Sequence, residues 1–406
     1  MAENQPITKN RMTSELSNFA ARLRELIGNP QSAIRNPQFP ELALELFALQ
    51  FDHNAAYRKI CIARNLTPEV AEHWTQIPAV PAAAFKELDL TCLTPGERAA
   101  VFHSSGTTEQ KPGRHHHGVE SLKVYEASLI PWFLKNVVPD LRFTNDDLRL
   151  VCLTPLPAQA PHSSLVHMFE TIRQKLGAPE TAFVGNLAAD GFWTLDFAAA
   201  AGRLSSGRQI PDARPLLLLG TAFSFVHLLD HLAENNLRFQ LPPGSRAMET
   251  GGYKNRSRSL PKSELHQLIA ERLGILPENI ISEYGMSELS SQAYDLGALA
   301  SRRRFFSNAT MELAGGTPAF PGYDTRHFCF PPWARAQIIS PETGCEVGDG
   351  ETGLIRVFDL ANVFSVMAIQ TEDLGIRRGG HFELIGRAQP AEPRGCSLMT
   401  AETRNS

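Results

Sequence analysis

Residues 104–113 read SSGTTEQKPG and bring hydroxyls, glycines and one ammonium together within ten positions. Hydroxyls, unhindered backbone N–H groups and a cation are the groups that bind a chain of phosphates. Gly106 and Gly113 allow backbone bends that a Cβ would forbid. The segment therefore predicts a loop that holds a nucleotide triphosphate, with a flexible polar surface loop as the alternative. Neither the Walker A spacing nor G-x-G-x-x-G after a strand is present, which argues against P-loop and Rossmann proteins.

A second cluster, ISEYGMSELSSQAY, spans residues 281–294. A predicted strand ends there in Glu283, Tyr284 and Gly285, and Glu288 follows. The ends of strands in α/β sheets are where ligands bind. An aromatic ring can stack on a base, and a carboxylate can hold Mg²⁺ against phosphates. The alternative is a tyrosine packed at a sheet edge beside a solvated glutamate.

Two shorter motifs and a histidine triplet also carry polar chemistry. METGGYK (248–254) places paired glycines after a strand, where a flat ligand can approach the backbone; the alternative is a tight turn. QTEDLG (370–375) contains Asp373, which could accept two hydrogen bonds from ribose hydroxyls; the alternative is an acidic turn. His115–His117 cannot all ligate one ion, because adjacent residues alternate faces on a strand. We therefore interpret the triplet as structural.

The cysteines favour neither a zinc site nor a disulfide framework, because their spacing is irregular and includes no C-x-x-C pair. The six are Cys61, Cys92, Cys152, Cys329, Cys345 and Cys396. Cys152, within LRLVCLTP, is typical of a small buried hydrophobe. Cys396 differs, because it lies in RGCSL ten residues from the end of the chain.

Composition indicates an ordinary soluble protein. The 406 residues are 43% hydrophobic and 20% charged, with a net charge of −4, which gives no reason to expect nucleic acid as a partner. No apolar run approaches the ~18 residues of a membrane span. The first residues, MAENQPITKNR, lack the apolar stretch of a secretory signal. We expect a cytoplasmic protein.

The elements that position these motifs follow from hydrophobic periodicity. The first ~90 residues read as mostly helical. The predicted helices there run from Ser14 to Leu26 with Gly28 as the stop, around 41–50, and around 68–75. Beyond ~100, strands are predicted at 99–103, 148–153, 215–220, 245–249 and 279–283. The helices predicted between them are 120–135, 163–175, 222–235 and 262–273.

This alternation favours a mostly parallel sheet covered by helices. Strand-like runs at 335–340, 353–358, 366–371 and 381–385 then form a turn-rich β region. We predict four regions: a helical N-terminal region at 1–98, an α/β nucleotide-binding core at 99–334, a small β subdomain at 335–387, and a tail at 388–406 that contains Cys396.

The order of these motifs resembles the adenylate-forming superfamily of acyl-CoA synthetases, luciferases and peptide-synthetase adenylation domains. SSGTTEQKPG resembles its phosphate loop, EYGMSE its aromatic–Gly–x–Ser/Thr–Glu motif, and TEDLG with Gly386–Arg387 its ribose-binding and hinge region. FKELDL, SSLVHM, ETGGYKNRSR, EYGMSELSSQAY, PPWARA, FDLAN, IQTEDLG and RGCSL further resemble the acyl-protein synthetases of bacterial luminescence systems. The fold implied is an α/β large domain of layered sheets and helices plus the small β subdomain.

The resemblance implies ATP and Mg²⁺, and an activated fatty or related carboxylic acid. The phosphate-binding residues implied are Ser104, Ser105, Gly106, Thr107, Thr108 and Lys111. Glu288 would bind Mg²⁺, and Ser287 would lie near the α-phosphate. The adenine site implied comprises Tyr284, Gly285, Gly251, Gly252 and Tyr253. Asp373 would bind the ribose, with Arg387 near the ribose or phosphate.

The resemblance also implies that Cys396 takes the acyl group as a thioester before a partner acyl reductase receives it. It further implies that the two proteins could form a hetero-oligomer. A thiolate is a strong nucleophile, and Arg394 could lower its pKa; the alternative is a tail cysteine without a role. The chain ends eleven residues after Gly395, so the usual mobile C-terminal domain, with its lysine, is expected to be absent or reduced to a tail. Either Lys111 with Mg²⁺ suffices for adenylation, or another lysine such as Lys254 substitutes.

Two alternatives stay open at this point. The acyl group could pass to CoA or to a carrier protein, as in ligases of the phenylacetate-CoA type. The chain could instead be an inactive relative that serves as a docking subunit for a reductase, although Glu288 and Asp373 argue against this.

Overall fold

The computed structural model describes residues 7–29, 38–104, 111–139, 148–189, 191–205, 214–253, 257–295 and 326–388, with side chains from Glu15 onward. Several residues singled out by the sequence lie outside the described residues: Ser105, Gly106, Thr107, Thr108, Lys254 and Cys396.

The N-terminal region is helical, as predicted, with α1 at Ile7–Gly28, α2 at Gln38–His53 and α3 at Ala55–Ala63. Helix α1 buries an apolar stripe at helical spacing and ends at Gly28, as predicted. The predicted start at Ser14 is wrong. No glycine or proline interrupts the chain between Ile7 and Ser14, so the helix extends seven residues further.

Two other assignments in this region need correction. The helix predicted around 68–75 is wrong: only Trp74–Gln76 forms a short 3₁₀ helix. Its apolar residues do not share a face, since Val70 is 56% exposed, whereas Trp74 packs edge-on against Phe39. Helix α3 was not predicted, although the side chain of Asn54 caps it by accepting a hydrogen bond from Tyr57 N at 3.0 Å.

The predicted parallel strands form the core of the sheet. They are β4 (Arg149–Cys152), β7 (Leu216–Thr221), β8 (Arg246–Thr250) and β9 (Ile280–Tyr284), side by side in the order β4-β7-β8-β9. Their neighbours in sequence are helices α6 (Ser164–Lys175), α8 (Ala222–Glu234) and α9 (Lys262–Leu273). Strand β7 is buried along its whole length, as expected for a parallel strand covered on both faces.

The sheet continues into an antiparallel half, so the expectation of a mostly parallel sheet holds for the first half only. The remaining strands are β1 (Val80–Pro81), β10 (Ala293–Asp295), β11 (Phe328–Cys329), β12 (Ala334–Ile339), β13 (Thr352–Asp359), β14 (Ala368–Arg378) and β15 (His381–Arg387). They extend the order from β9 through β10, β11, β15, β14 and β13 to β12 in antiparallel pairs, with β1 pairing in parallel with β14, in one eleven-stranded sheet of the described residues. The turn-rich strands thus join the core sheet, and the proposed region boundaries stay a prediction.

The strand predicted at 99–103 does not join this sheet. It is β2 (Ala100–His103), which pairs in antiparallel register with β3 (Arg114–His117). The hairpin is followed by α5 (Val119–Val137) and preceded by the short helix α4 (Ala84–Glu87). Residues 104–113 therefore connect the two strands of a hairpin.

Smaller elements complete the described residues: the hairpin of β5 (Gly185–Leu187) with β6 (Trp193–Leu195), and helix α7 (Phe197–Ser205). The cysteines in the described ranges are free thiols, of which Cys61 and Cys152 are buried and Cys345 is exposed. Among the described helices, none combines the length and the apolar character that crossing a membrane requires.

Candidate active site

The base of the predicted phosphate loop is closed by two hydrogen bonds between Ser104 and Gly113. Ser104 N donates to Gly113 O at 3.1 Å, and Gly113 N donates to Ser104 Oγ at 2.8 Å. A Cβ on Gly113 would lie 2.8 Å from Ser104 Oγ and 3.2 Å from Glu288 Oε1. The loop base therefore lies beside the Glu288 carboxylate, and a side chain at position 113 would crowd the Ser104 hydroxyl and this carboxylate.

Glu288 lies in the loop that follows β9, with its side chain largely buried. The residue is 4% exposed, and Ser287 Oγ donates to its Oε2 at 3.0 Å. Burial raises the pKa of Glu288, and the positive charge of Arg387 opposes this shift. The structure thus brings together the predicted residues Ser104, Ser287 and Glu288.

His115 supports this loop from strand β3. Its Nδ1 donates to Ser287 O at 2.9 Å. Burial lowers the pKa of His115 to about 4, so the ring is neutral at neutral pH and the hydrogen bond selects the tautomer protonated on Nδ1. His115 and His117 share the buried face of β3, and His116 lies on the other face. The predicted alternation of the three side chains is therefore observed. The contact of His115 with Ser287 was not predicted.

Tyr284 and Asp373 meet across the sheet. Tyr284 Oη donates to Asp373 Oδ2 at 2.9 Å, and burial raises the pKa of Asp373. The Tyr284 ring makes edge contacts with Phe328, Phe330 and Phe382, with ring centroids 5.4–6.2 Å away. The aromatic cluster holds the tyrosine in place, and its stacking on adenine stays a prediction.

Arg387 lies opposite Asp373 in the register of β14 and β15. Its Nε is 3.9 Å from Asp373 Oδ1 and 3.7 Å from Glu372 Oε2. The arginine side chain is 73% exposed, so it is available to an anionic ligand. Lys111, near the end of the predicted phosphate loop, is also exposed.

The Gly251–Gly252–Tyr253 segment follows β8 at the same edge of the sheet. Thr250 and Glu283, the neighbouring positions in the parallel register of β8 and β9, bring this loop beside the one that begins at Tyr284. Gly251 has a φ of +69°, which disfavours other residues. Both glycines are exposed and Tyr253 is half-buried.

Two buried carboxylates lie beneath these loops, and sequence reasoning assigned neither of them a role. Glu249 contacts Lys262 and His266, each at 3.3 Å, and accepts a hydrogen bond from Ser282 Oγ. Although burial opposes ionisation, these partners hold the pKa of Glu249 down at about 2. The signal in the sequence is a carboxylate that follows the apolar pair Ala247–Met248 within a strand.

The pKa of Glu283, the second of these carboxylates, is shifted in the opposite direction. Burial raises its pKa to about 7, although Thr250 Oγ1 donates a hydrogen bond to it. A Cβ on Gly285 would lie 2.3 Å from Glu283 Oε1. The glycine of the EYGMSE motif therefore makes room for the carboxyl group of the residue two positions earlier.

Glu288 fits the expected way of holding Mg²⁺. In the described part of the chain, no group of three or more His, Cys, Asp or Glu side chains could hold a metal by itself. Mg²⁺ bound with a nucleotide takes one or two protein carboxylates plus phosphate oxygens and water. A single buried carboxylate beside the predicted phosphate loop meets that requirement.

Solved structures share this fold. The model superposes on 2-hydroxyisobutyryl-CoA ligase, solved in an open conformation with 2-HIB-AMP and CoA, with a TM-score of 0.58 at 13% identity over 87% of this chain and 71% of that one. The same ligase in the postadenylation state gives a TM-score of 0.59, also at 13% identity, over 87% of this chain and 68% of that one. The architecture is that of the adenylate-forming ligases, as predicted.

Within that class, the chain belongs to the acyl-protein synthetase (LuxE) family, whose family model matches residues 3–404. It is 23% identical to the long-chain-fatty-acid–luciferin-component ligase of Aliivibrio fischeri over 94% of this chain and 92% of that protein. The protein of the same name from Vibrio harveyi is also 23% identical, over 88% of this chain and 85% of its own length. The resemblance drawn from the motifs is confirmed, and with it the assignment to the AMP-forming ligases.

Proposed function

We propose that this protein uses ATP to activate a long-chain fatty acid and then carries the acyl group on Cys396 for a partner acyl reductase. The single observation that carries the proposal is the junction of the loop base at Ser104–Gly113 with the Glu288 carboxylate, in a chain of the acyl-protein synthetase family. Such a junction suits the β- and γ-phosphates of ATP.

In the first step, a carboxylate oxygen of the fatty acid attacks the α-phosphorus, and pyrophosphate leaves. Residues 104–108 and Lys111 would hold the outgoing phosphates, and Ser287 would lie near the α-phosphate. Glu288 would hold Mg²⁺, which neutralises phosphate charge when bound. Tyr284, Gly285, Gly251, Gly252 and Tyr253 would surround the adenine. Asp373 would bind the ribose hydroxyls, with Arg387 nearby. Alignment and charge stabilisation would supply most of the acceleration.

In the second step, the Cys396 thiolate attacks the carbonyl carbon of the acyl-adenylate. A carbon–sulfur bond forms, the bond from that carbon to the phosphate oxygen breaks, and AMP leaves. The thioester is then available to a reductase, which makes this protein one component of a hetero-oligomer that produces fatty aldehyde in the cytoplasm. The choice between Lys111 and Lys254 as the lysine that assists adenylation stays open.

The test is a fatty-acid-dependent ATP–pyrophosphate exchange assay over a range of chain lengths, combined with labelling by radioactive fatty acid. We expect Cys396→Ser to retain exchange but to lose the hydroxylamine-labile acyl-enzyme completely, because only the acceptor is removed. Cys345→Ser is the matched control, since Cys345 is an exposed thiol of the described chain, and it should retain both activities.

Three results would contradict the proposal. Loss of exchange in C396S with acyl labelling intact would reverse the proposed order of steps. Formation of acyl-CoA at a rate indifferent to Cys396 would indicate a CoA ligase. Failure of the wild-type protein to bind MgATP would indicate a docking subunit.

A further inference from the structure

We propose that Asp359 is a positioning residue that holds the Glu288 loop in the geometry required for MgATP. The proposal rests on the role proposed above for Glu288. Asp359 is the last residue of β13 and is fully buried. The motif FDLAN, in which it lies, was noted in the sequence without any role for the aspartate.

The Asp359 carboxylate accepts four hydrogen bonds. Oδ2 accepts from Ser290 N at 2.9 Å and from Ser291 N at 2.8 Å. Oδ1 accepts from Ser291 Oγ at 2.7 Å and from Ala361 N at 2.9 Å. Because every donor is uncharged, the carboxylate acts here as a hydrogen-bond acceptor for the loop rather than as the partner of a cation.

The loop held in this way is the one that carries Glu288. Ser290 and Ser291 follow the glutamate by two and three positions. Asn362, in the turn that begins at Asp359, donates from Nδ2 to Glu288 O at 2.8 Å. The turn 359–362 therefore holds the main chain of Glu288 itself and the main chain just after it, and leaves the Glu288 side chain facing Gly113.

A second set of contacts fixes Ser291 from the opposite side. Ser291 Oγ lies 2.9 Å from Ser128 Oγ of helix α5, and Trp333 Nε1 donates to Ser128 Oγ at 2.7 Å. All of these groups are buried. Asp359 is thus the end of a chain of hydrogen bonds that joins α5, the Glu288 loop and β13.

Asparagine cannot replace this carboxylate. Its side chain has one acceptor oxygen, and its NH₂ group would face donors that it cannot satisfy. Buried amides left without an acceptor are costly, so the Glu288 loop would move to find other partners. A displacement of about 1 Å at a phosphate-binding carboxylate is enough to lower activity strongly.

The experiment compares full-length wild-type protein with Asp359→Asn, Ser291→Ala and Asp295→Asn. Asp295 is the control, because it is a buried aspartate of the same sheet that accepts from Ser282 N and pairs with Arg326, at the end of β10 that is away from the Glu288 loop. For each protein we measure the KM for MgATP and for fatty acid in pyrophosphate exchange. We also measure the Mg²⁺ requirement at fixed ATP, and the rise in Tm caused by MgATP alone.

For D359N we expect the KM for MgATP and the half-saturating Mg²⁺ concentration to rise about tenfold, while the KM for fatty acid stays within about twofold. S291A keeps the backbone donors and should show a smaller rise of about two- to threefold in the same two quantities. D295N should lower the Tm yet leave the KM for MgATP and the half-saturating Mg²⁺ concentration at the wild-type values.

The proposal is overturned if D359N, or S291A should D359N fail to fold, keeps the wild-type Mg²⁺ dependence and the full MgATP-induced rise in Tm. It is equally overturned if D295N reproduces the D359N profile, because the effect would then be loss of stability alone. The rise in Tm needs no fatty acid. Absence of exchange in wild type with that rise intact would therefore contradict the proposed function and still decide the role of Asp359.

Discussion

At the scale of single residues, Gly113 links the two motifs on which the proposed activity depends. The glycine ends the predicted phosphate loop, yet its closest neighbours include the Glu288 carboxylate, which lies 175 positions later in the chain. The motifs predicted Ser104, Glu288 and Asp373 as site residues, because hydroxyls and carboxylates near glycines indicate ligand binding. They did not predict Asp359 or His115, whose roles depend on distant partners.

We predict that Gly113→Ala lowers the exchange rate about tenfold or more. The added Cβ would lie 2.8 Å from Ser104 Oγ and 3.2 Å from Glu288 Oε1, so the Ser104 hydroxyl must shift and the Glu288 carboxylate is crowded. Overpacking of this size should also cost about 1–3 kcal/mol of stability.

The measurement is the exchange rate together with the free energy of unfolding. Gly96→Ala is the control, because nothing lies within 4 Å of the Cβ it adds, and its rate should match wild type. An unchanged rate in G113A would show that the approach of the loop base to Glu288 is not needed for activity.

At the scale of elements, helix α2 of the N-terminal region stabilises the connection between β13 and β14. Gln50 of α2 is fully buried, and its Nε2 donates to Asn362 O at 2.8 Å and to Val363 O at 3.3 Å. Its Oε1 accepts from Met367 N at 3.0 Å. One glutamine therefore fixes the connection between β13 and β14, which includes the turn that holds Glu288.

We predict that Gln50→Ala destabilises the protein by about 2–3 kcal/mol, because it leaves buried backbone groups of that connection without partners. The measurement is the unfolding midpoint in urea with its slope. Gln267→Ala provides the comparison: Gln267 is exposed on α9 and bonds only Glu271 in the described chain, so its replacement should cost less than about 0.5 kcal/mol. Equal effects of the two substitutions would refute the supporting role of α2.

Elements with a strong local pattern were predicted well, and those without one were not. The helix at 262–273 was predicted at its observed bounds, since a polar start and a glycine stop frame an apolar stripe. The helix predicted around 68–75 was wrong, because the apolar residues there reflect the tertiary packing of Trp74 and not a helical face.

At the scale of the whole molecule, one sheet joins a parallel and an antiparallel half, and the proposed site lies where they meet. Strand β9 supplies Tyr284, and β14 supplies Asp373, with β10, β11 and β15 between them. Beneath this junction lies the buried carboxylate of Glu249, in contact with the partly exposed Lys262 and the buried His266, with Glu283 on the neighbouring strand. Such buried titratable groups make the stability of the protein depend on pH.

We predict that replacing Glu283 with Gln changes this pH dependence in a defined direction. The pKa of Glu283 is raised by burial from 4.5 to about 7 in the folded state, so the folded protein retains a proton that the unfolded chain releases. The contribution of Glu283 to the free energy of unfolding is therefore full below pH 4.5 and is lost as pH rises towards 7. Relative to E283Q, wild type should lose up to about 3 kcal/mol across this range.

The measurement is the free energy of unfolding of both proteins at intervals between pH 4.5 and 7. Glu271→Gln, at an exposed carboxylate of α9, should give a curve parallel to that of wild type. If the difference between wild type and E283Q stays constant over this range, the pKa of Glu283 is not raised in the folded protein.

The sequence by itself determined the class of fold and the family, and it predicts the chemistry of the loops, because hydroxyl-rich, glycine-bearing motifs in a given order can be read directly from the chain. Only the tertiary structure decided that the turn-rich strands join the core sheet, that the loop base at Gly113 lies beside Glu288, and that Asp359 and Gln50 hold the connecting loops. The physical reason is that strand pairing and buried hydrogen bonds join residues hundreds of positions apart. No local pattern specifies which donor meets which acceptor, and the packing of the whole chain does.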